Sequence, residues 1–173
     1  DEIAPQVPII SAPPTATSSA SIKVTGFGEP ESELILVLNG RKDDSIKIES
    51  DGSFEVEVVL EEGENNISAY SIDEAENEST VTREYKTLLD TEPPELEIIE
   101  PVDGSLFQSR ANQSITLKGK TDVGSRIYVN KRVVFPDSEG EFEHTFRLEE
   151  GENKIEVVSE DKAKNSAKID LVY

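Results

Sequence analysis

The chain has no cysteine, no methionine and no tryptophan among its 173 residues, and only one histidine, His144. The missing cysteine excludes disulfide staples and thiolate-bound zinc. It fits a reducing cytoplasm and equally well bacterial surface proteins that avoid disulfides. No apolar run approaches the ~20 residues of a membrane span. Positive charge is scarce too: 17 basic residues face 37 acidic ones, for a net charge of -20. Such a chain repels nucleic acid and anionic membrane, and no basic stripe offsets that repulsion. His144 has neither a cysteine nor an evident serine–acid pair beside it, as a catalytic triad would require. Ser18, Ser19 and Ser109 stand in polar stretches with no nucleophile elbow, and there is no glycine-rich phosphate loop. These absences predict a chain that is not an enzyme and has no catalytic residues.

What is present is a unit written twice. Leu60-Glu61-Glu62-Gly63-Glu64-Asn65 returns letter for letter as Leu148-Glu149-Glu150-Gly151-Glu152-Asn153, 88 positions on. At the same offset Gly52, Phe54, Ile67, Ser71, Asp73, Ala75 and Asn77 meet Gly140, Phe142, Ile155, Ser159, Asp161, Ala163 and Asn165. Asn39 meets Asn130 at offset 91, so segment lengths vary between apolar runs while the runs keep their pattern. The chain divides into domains 1–89 and 90–173, joined by a linker at about 88–94. The first carries 6 basic and 19 acidic residues, the second 11 and 18. Asp1 aligns with the linker residue Asp90, so residue 1 reads as a cut within a longer parent chain.

The hydrophobic period is two. Phe54-Glu55-Val56-Glu57-Val58 alternates apolar and acidic, as does Ile155-Glu156-Val157, which describes strands with one wet face. Leu34 to Leu38 is a continuous apolar run ending in Asn39-Gly40, a strong hairpin signal. Seven strands per copy follow, near 6–11, 21–26, 33–39, 45–49, 53–60, 66–72 and 79–87, then near 95–100, 114–119, 126–130, 132–135, 141–147, 153–159 and 166–172. The fold class is all-β, two tandem Ig-like Greek-key sandwiches. Inward residues are Ile22, Val24, Leu36, Phe54, Val56, Leu60, Ile67 and Ala69, and in the second copy Ile115, Leu117, Ile127, Val129, Phe142, Leu148, Ile155 and Val157.

The stretches DGSFEVEVVLEEGENNISAYSIDEAENES and EGEFEHTFRLEEGENKIEVVSEDKAKNSA resemble the bacterial Ig-like domains related to domain B of glucodextranase. The linker DTEPPELEI is similar to the joints between such modules. The resemblance covers essentially the whole chain, twice. It implies repeats in secreted and cell-wall proteins, accessory modules of extracellular enzymes, or adhesins, and hence a bacterial or archaeal extracellular setting. One departure is that the family's Ala-Gly-Asn turn is Ala75-Glu76-Asn77 here, and Ala163-Lys164-Asn165.

Three constellations invite function. Asp73 with Asn77 and Asp161 with Asn165 offer a carboxylate and an amide oxygen to calcium, and Asp90 with Glu92 at the joint offers more. The structural alternative is an Asx turn in which Asp accepts backbone N–H bonds. Tyr128 and Phe135 lie close enough in sequence for a small sugar platform, although aromatics make up only 6% of the chain. Tyr70 and Tyr85 are candidates for exposed rings as well. The acids of Glu61-Glu62-Gly63-Glu64 are sequence neighbours rather than facing catalytic carboxylates, and they read as a corner with Gly at positive φ. A Lys–Asn isopeptide bond would need a buried lysine. The expected function is a non-catalytic spacer, stalk or adhesion scaffold, without an obligatory cofactor. It would have neighbouring domains and possible glycan or protein partners, and be monomeric. The rival is a binding module of a secreted enzyme.

Overall fold

A computed structural model of the chain describes residues 3–107 and 114–173. It forms two compact units, Asp1–Asp90 and Thr91–Tyr173. The first contains β1 (Ile9–Ile10), β2 (Ala16–Thr17), β3 (Ser21–Phe27), β4 (Glu33–Leu38), β5 (Arg41–Lys47), β6 (Ser53–Val59), β7 (Gly63–Ile72) and β8 (Tyr85–Leu89). The second contains β9 (Leu96–Glu100), β10 (Ser114–Thr121), β11 (Arg126–Val129), β12 (Arg132–Val134), β13 (Glu141–Arg147), β14 (Lys154–Glu160) and β15 (Ser166–Val172). In the first unit the sheet β1-β3-β6 faces β2-β8-β7-β4-β5; in the second, β13-β10-β9 faces β12-β11-β14-β15. Both are all-β sandwiches.

Alternation places the core. In β6 the pattern Phe54, Val56, Val58 is buried while Glu55, Glu57 and Val59 are exposed. All sixteen residues expected to face inward are buried. Each unit has its own cluster, one around Leu34, Leu36 and Ile67, the other around Leu117, Ile127 and Val157. Tyrosine hydroxyls tie the last strand to the first: Tyr85 donates to the Ile10 carbonyl at 3.0 Å, and Tyr173 to that of Pro101 at 2.8 Å.

The first unit departs from expectation in four places. Pro5 and Pro8 remove ladder donors, so β1 keeps two residues of the expected 6–11. The chain then crosses to the other sheet, where β2 lies parallel to β8, a pairing no apolar pattern signals. The strand β5 begins at Arg41 because the two-residue turn zips immediately, Leu38 opposite Arg41. Its first five residues are exposed and polar, the charged edge that protects a sheet from further pairing, so hydrophobic periodicity placed its start at 45 rather than 41. Residues 79–84 are not a strand. There the Ser79 and Thr82 hydroxyls accept the Ser71 and Ala69 N–H groups, taking the place of ladder carbonyls. The closing strand shifts to 85–89, so Leu88 and Leu89, read as the start of the linker, pair with Glu64 and Gly63.

Of the tyrosines expected to be exposed, Tyr70 is buried at 7% exposure and Tyr85 is half-buried. Ser109 lies outside the described residues. Among the described residues no lysine is buried, so none is placed for an isopeptide bond.

The twin serines Ser71 and Ser159 differ instructively. Ser159 Oγ lies 2.6 Å from Thr121 Oγ1, which also donates to the Glu95 carbonyl. Ser71 is equally buried, but Gly28 occupies the corresponding place and Ser71 Oγ has no hydrogen-bond partner. Replacing a buried hydroxyl costs about 1 kcal/mol when it breaks a bond, and next to nothing when it removes an unpaired group. Ser159→Ala is therefore expected to lower the unfolding free energy by about 1 kcal/mol, with Ser71→Ala neutral or stabilising. Urea unfolding of both variants measures the difference.

Candidate functional site

The repeated Leu-Glu-Glu-Gly-Glu-Asn builds a corner rather than a reactive centre. Gly63 and Gly151 sit at φ 89° and 96°, where a side chain would be strained. Asn65 is fully buried and closes the corner: Oδ1 accepts the Glu61 N–H at 2.9 Å, and Nδ2 donates to the carbonyls of Glu61 and Gly63 at 2.7 and 3.0 Å. Asn153 repeats this with Glu149 and Gly151. The acids between are solvent-facing or half-exposed, and Glu64 and Glu152 pair with Lys86 and Lys154 at 2.8 and 3.0 Å.

The Asp-x-Ala-x-Asn turns close on themselves. Asp73 Oδ1 accepts the N–H groups of Ala75 and Asn77 at 2.8 and 2.9 Å, and its Oδ2 accepts Asn77 Nδ2 at 2.8 Å. Asp161 and Asn165 form the same clasp at 2.9 Å through both oxygens. The Asn77 side chain, then its N–H and that of Ala75, hold the Asp73 carboxyl below its ordinary range. Calcium needs 6–8 oxygens, and each clasp brings one carboxylate already hydrogen-bonded at both oxygens. Among the described residues no group of three or more His, Cys, Asp or Glu is gathered to hold a metal. Asp90, whose N–H donates to the Thr17 carbonyl at 3.0 Å, ends the first unit, and Glu92 follows the division.

The middle residue of each turn carries the strain. Glu76 and Lys164 adopt φ 64° and 76°, the left-handed region that glycine occupies at little cost. The turn geometry is thus retained by residues ill suited to it.

Tyr128 is half-buried on the outer face of its sheet, opposite Val133 and Val158. Phe135 follows β12 and is 79% exposed. The two rings make no aromatic pair; the pairs among the described residues are those of Tyr173 with Phe107 and Phe146.

A site that motif reading missed opens in the second unit. A cleft of about 610 Å³ lies between the β11–β12 hairpin, β13 and the Glu149–Asn153 corner. Arg132, His144, Arg147 and Lys154 line it, with Glu149 and Glu152 at one end and Phe146 among its walls. The available signal was the comparison of copies: His144, Phe146, Arg147 and Lys154 stand where the first has Val56, Val58, Val59 and Asn66.

Two outcomes follow. Glu76→Gly and Lys164→Gly are each expected to raise the unfolding free energy by about 0.5–1 kcal/mol, relief of the left-handed strain exceeding the added chain entropy; chemical denaturation checks this. The clasp's charge contribution is complete above the ordinary carboxylate pKa and lost as pH falls through the depressed folded value. The stability gap between wild type and Asp73→Asn should therefore be constant near neutrality and shrink below about pH 4, as thermal melts across that range would show.

Comparison with known proteins agrees with this architecture. The chain is 31% identical over 166 residues to bacillopeptidase F of Bacillus subtilis (strain 168), a match covering 92% of this chain and spanning 11% of that relative's length. The fibronectin(III)-like modules of CbhA from Clostridium thermocellum superpose with a TM-score of 0.65 at 13% identity, over 95% of this chain and 92% of theirs, a likeness of fold. The family described as glucodextranase, domain B, an accessory and non-catalytic module type, matches residues 10–87 and again 94–172. The chain belongs to the glucodextranase domain B family, as two consecutive copies of its module.

Proposed function

We propose that the chain is a non-catalytic tandem within a larger extracellular or cell-surface protein, where it acts as a spacer, stalk or adhesion scaffold. The carrying observation is self-sufficiency. Each unit encloses its own apolar cluster, and the residues with chemical potential in the repeated motifs serve the backbone. Asn65, Asn153, Asp73 and Asp161 each close a corner or turn, and tyrosine hydroxyls tie strands together. A module whose polar groups are spent on its own loops is suited to holding a neighbour in place.

The family description and the partial span of the peptidase relative support an accessory role. Two separately folding domains, 1–89 and 90–173, are part of this proposal. Net charge of -20 keeps such a tandem soluble and discourages association between copies.

Replacing residues 1–173 in the parent protein with an unrelated pair of β-sandwich modules is expected to leave the turnover or surface display of its neighbouring domain unchanged. A loss restored only by the native pair would overturn the spacer reading.

A further inference from the structure

The cleft of the second unit arises from a change of register between the copies. In the first, the hairpin tip Asn39 pairs with Asn66: its N–H donates to the Asn66 carbonyl at 2.9 Å, and its Oδ1 accepts the Asn66 N–H at 2.8 Å. In the second, Asn130 makes the same two bonds, each 2.8 Å, to Glu156. Counted from the corner asparagine, the tip has moved from one residue beyond Asn65 to three beyond Asn153. Two residues of strand are about 7 Å. The hairpin has slid that far from the corner, and the cleft occupies the space left. Asn39 Nδ2 reaches Asn65 Oδ1 at 3.2 Å, whereas Asn130 Nδ2 makes no such bond to Asn153.

The same place has changed chemistry. In the first copy Val56 and Val58 are 4% and 0% exposed, filling the core. In the second, His144 and Phe146 are only half-buried, and Arg147 stands exposed beside them. Arg132 and Lys154 add two further cations, so three permanent positive charges and the lone imidazole meet in one cleft of a strongly acidic chain. Glu152 and Lys154 pair with each other at 3.0 Å, which leaves Arg132 and Arg147 against the single acid Glu149. At physiological salt, charges more than about 8 Å away are screened, so these local cations, rather than the net charge, govern what enters.

We propose that this cleft is a binding site for an acidic saccharide, a short run of sugar rings carrying carboxylates. The arginines recognise carboxylate through their forked donors. The Asn130 amide nitrogen and the Thr145 hydroxyl present polar groups to sugar hydroxyls, and the half-buried Phe146 offers an apolar wall. The volume suits a short saccharide rather than an inorganic ion. This site is independent of the spacer reading, because a tandem that binds glycan still spaces its neighbours.

The test uses the full chain with three probes: trigalacturonate, cellotriose and pentaglutamate. Trigalacturonate should shift the amide resonances of residues 144–147 and bind calorimetrically, more weakly as salt rises. Arg132→Gln and Arg147→Gln, both at exposed positions, should each weaken binding about tenfold, the scale of losing a charged hydrogen-bonding partner. Lys86→Gln, outside the cleft, should bind as wild type, and melting temperatures confirm that the variants are folded. Absence of shifts at 144–147 overturns the proposal, as does equal binding of cellotriose or undiminished binding by both arginine variants. Tighter binding of pentaglutamate would overturn the saccharide assignment in favour of an acidic peptide.

Discussion

Side chains alternate across a strand with a period of two, and that constraint governs how one sandwich can differ from its copy. Sliding a strand by one residue turns every inward side chain outward. For β14 this would exchange buried Ile155 and Val157 for Glu156 and Val158, at about 1.5–3 kcal/mol for each apolar side chain exposed. Sliding by two leaves every face as it was. The second copy shows the permitted move: the Asn–backbone clasp at the hairpin tip is intact, displaced by two residues, and Ile127 and Val129 remain buried beneath it. The corner and the strands keep their roles across this even slip.

The acidity has a different place in the balance. Every described ion pair lies at the surface, such as Lys23 with Glu55 at 2.6 Å across β3 and β6. Exposed pairs of this kind contribute little to stability. The carboxylates that shape structure are the few that accept N–H bonds inside turns, Asp73, Asp137 and Asp161 among them. Charge therefore bears on solubility and on what can approach, and the fold rests on the apolar alternation beneath it.

That division explains what could be read in advance. The second copy's seven strands and the inward residues of both copies were legible because apolar alternation is a direct record of burial. The first four residues of the edge strand β5 were not, since an edge is guarded by polar residues that carry no period. Residues 79–84 misled because hydroxyls replace carbonyls there, leaving a strand-like sequence without a strand. The turn motifs announced their geometry but not their closure, and Tyr70 was placed outside while it lies beneath the Lys42 ammonium, 5.3 Å from its ring. The cleft was invisible for a deeper reason. Its residues come from a hairpin, an edge strand and a corner, and only the register brings them together.

The two copies also divide the burden of stability unequally. Among the described residues fourteen apolar side chains form the buried cluster of the first unit and ten that of the second. The opened cleft exposes part of what Val56 and Val58 seal in the first. Larger rings partly offset that loss: Tyr173 packs edge-on against Phe107 at 5.8 Å and stacks on Phe146 at 6.3 Å. Such pairs add about 0.5–1.5 kcal/mol beyond their buried area. The second sandwich thus gives up part of the apolar seal that the first retains. A duplicated module can do this because its neighbour encloses a separate core, and one copy can hold the simpler, closed form while the other opens.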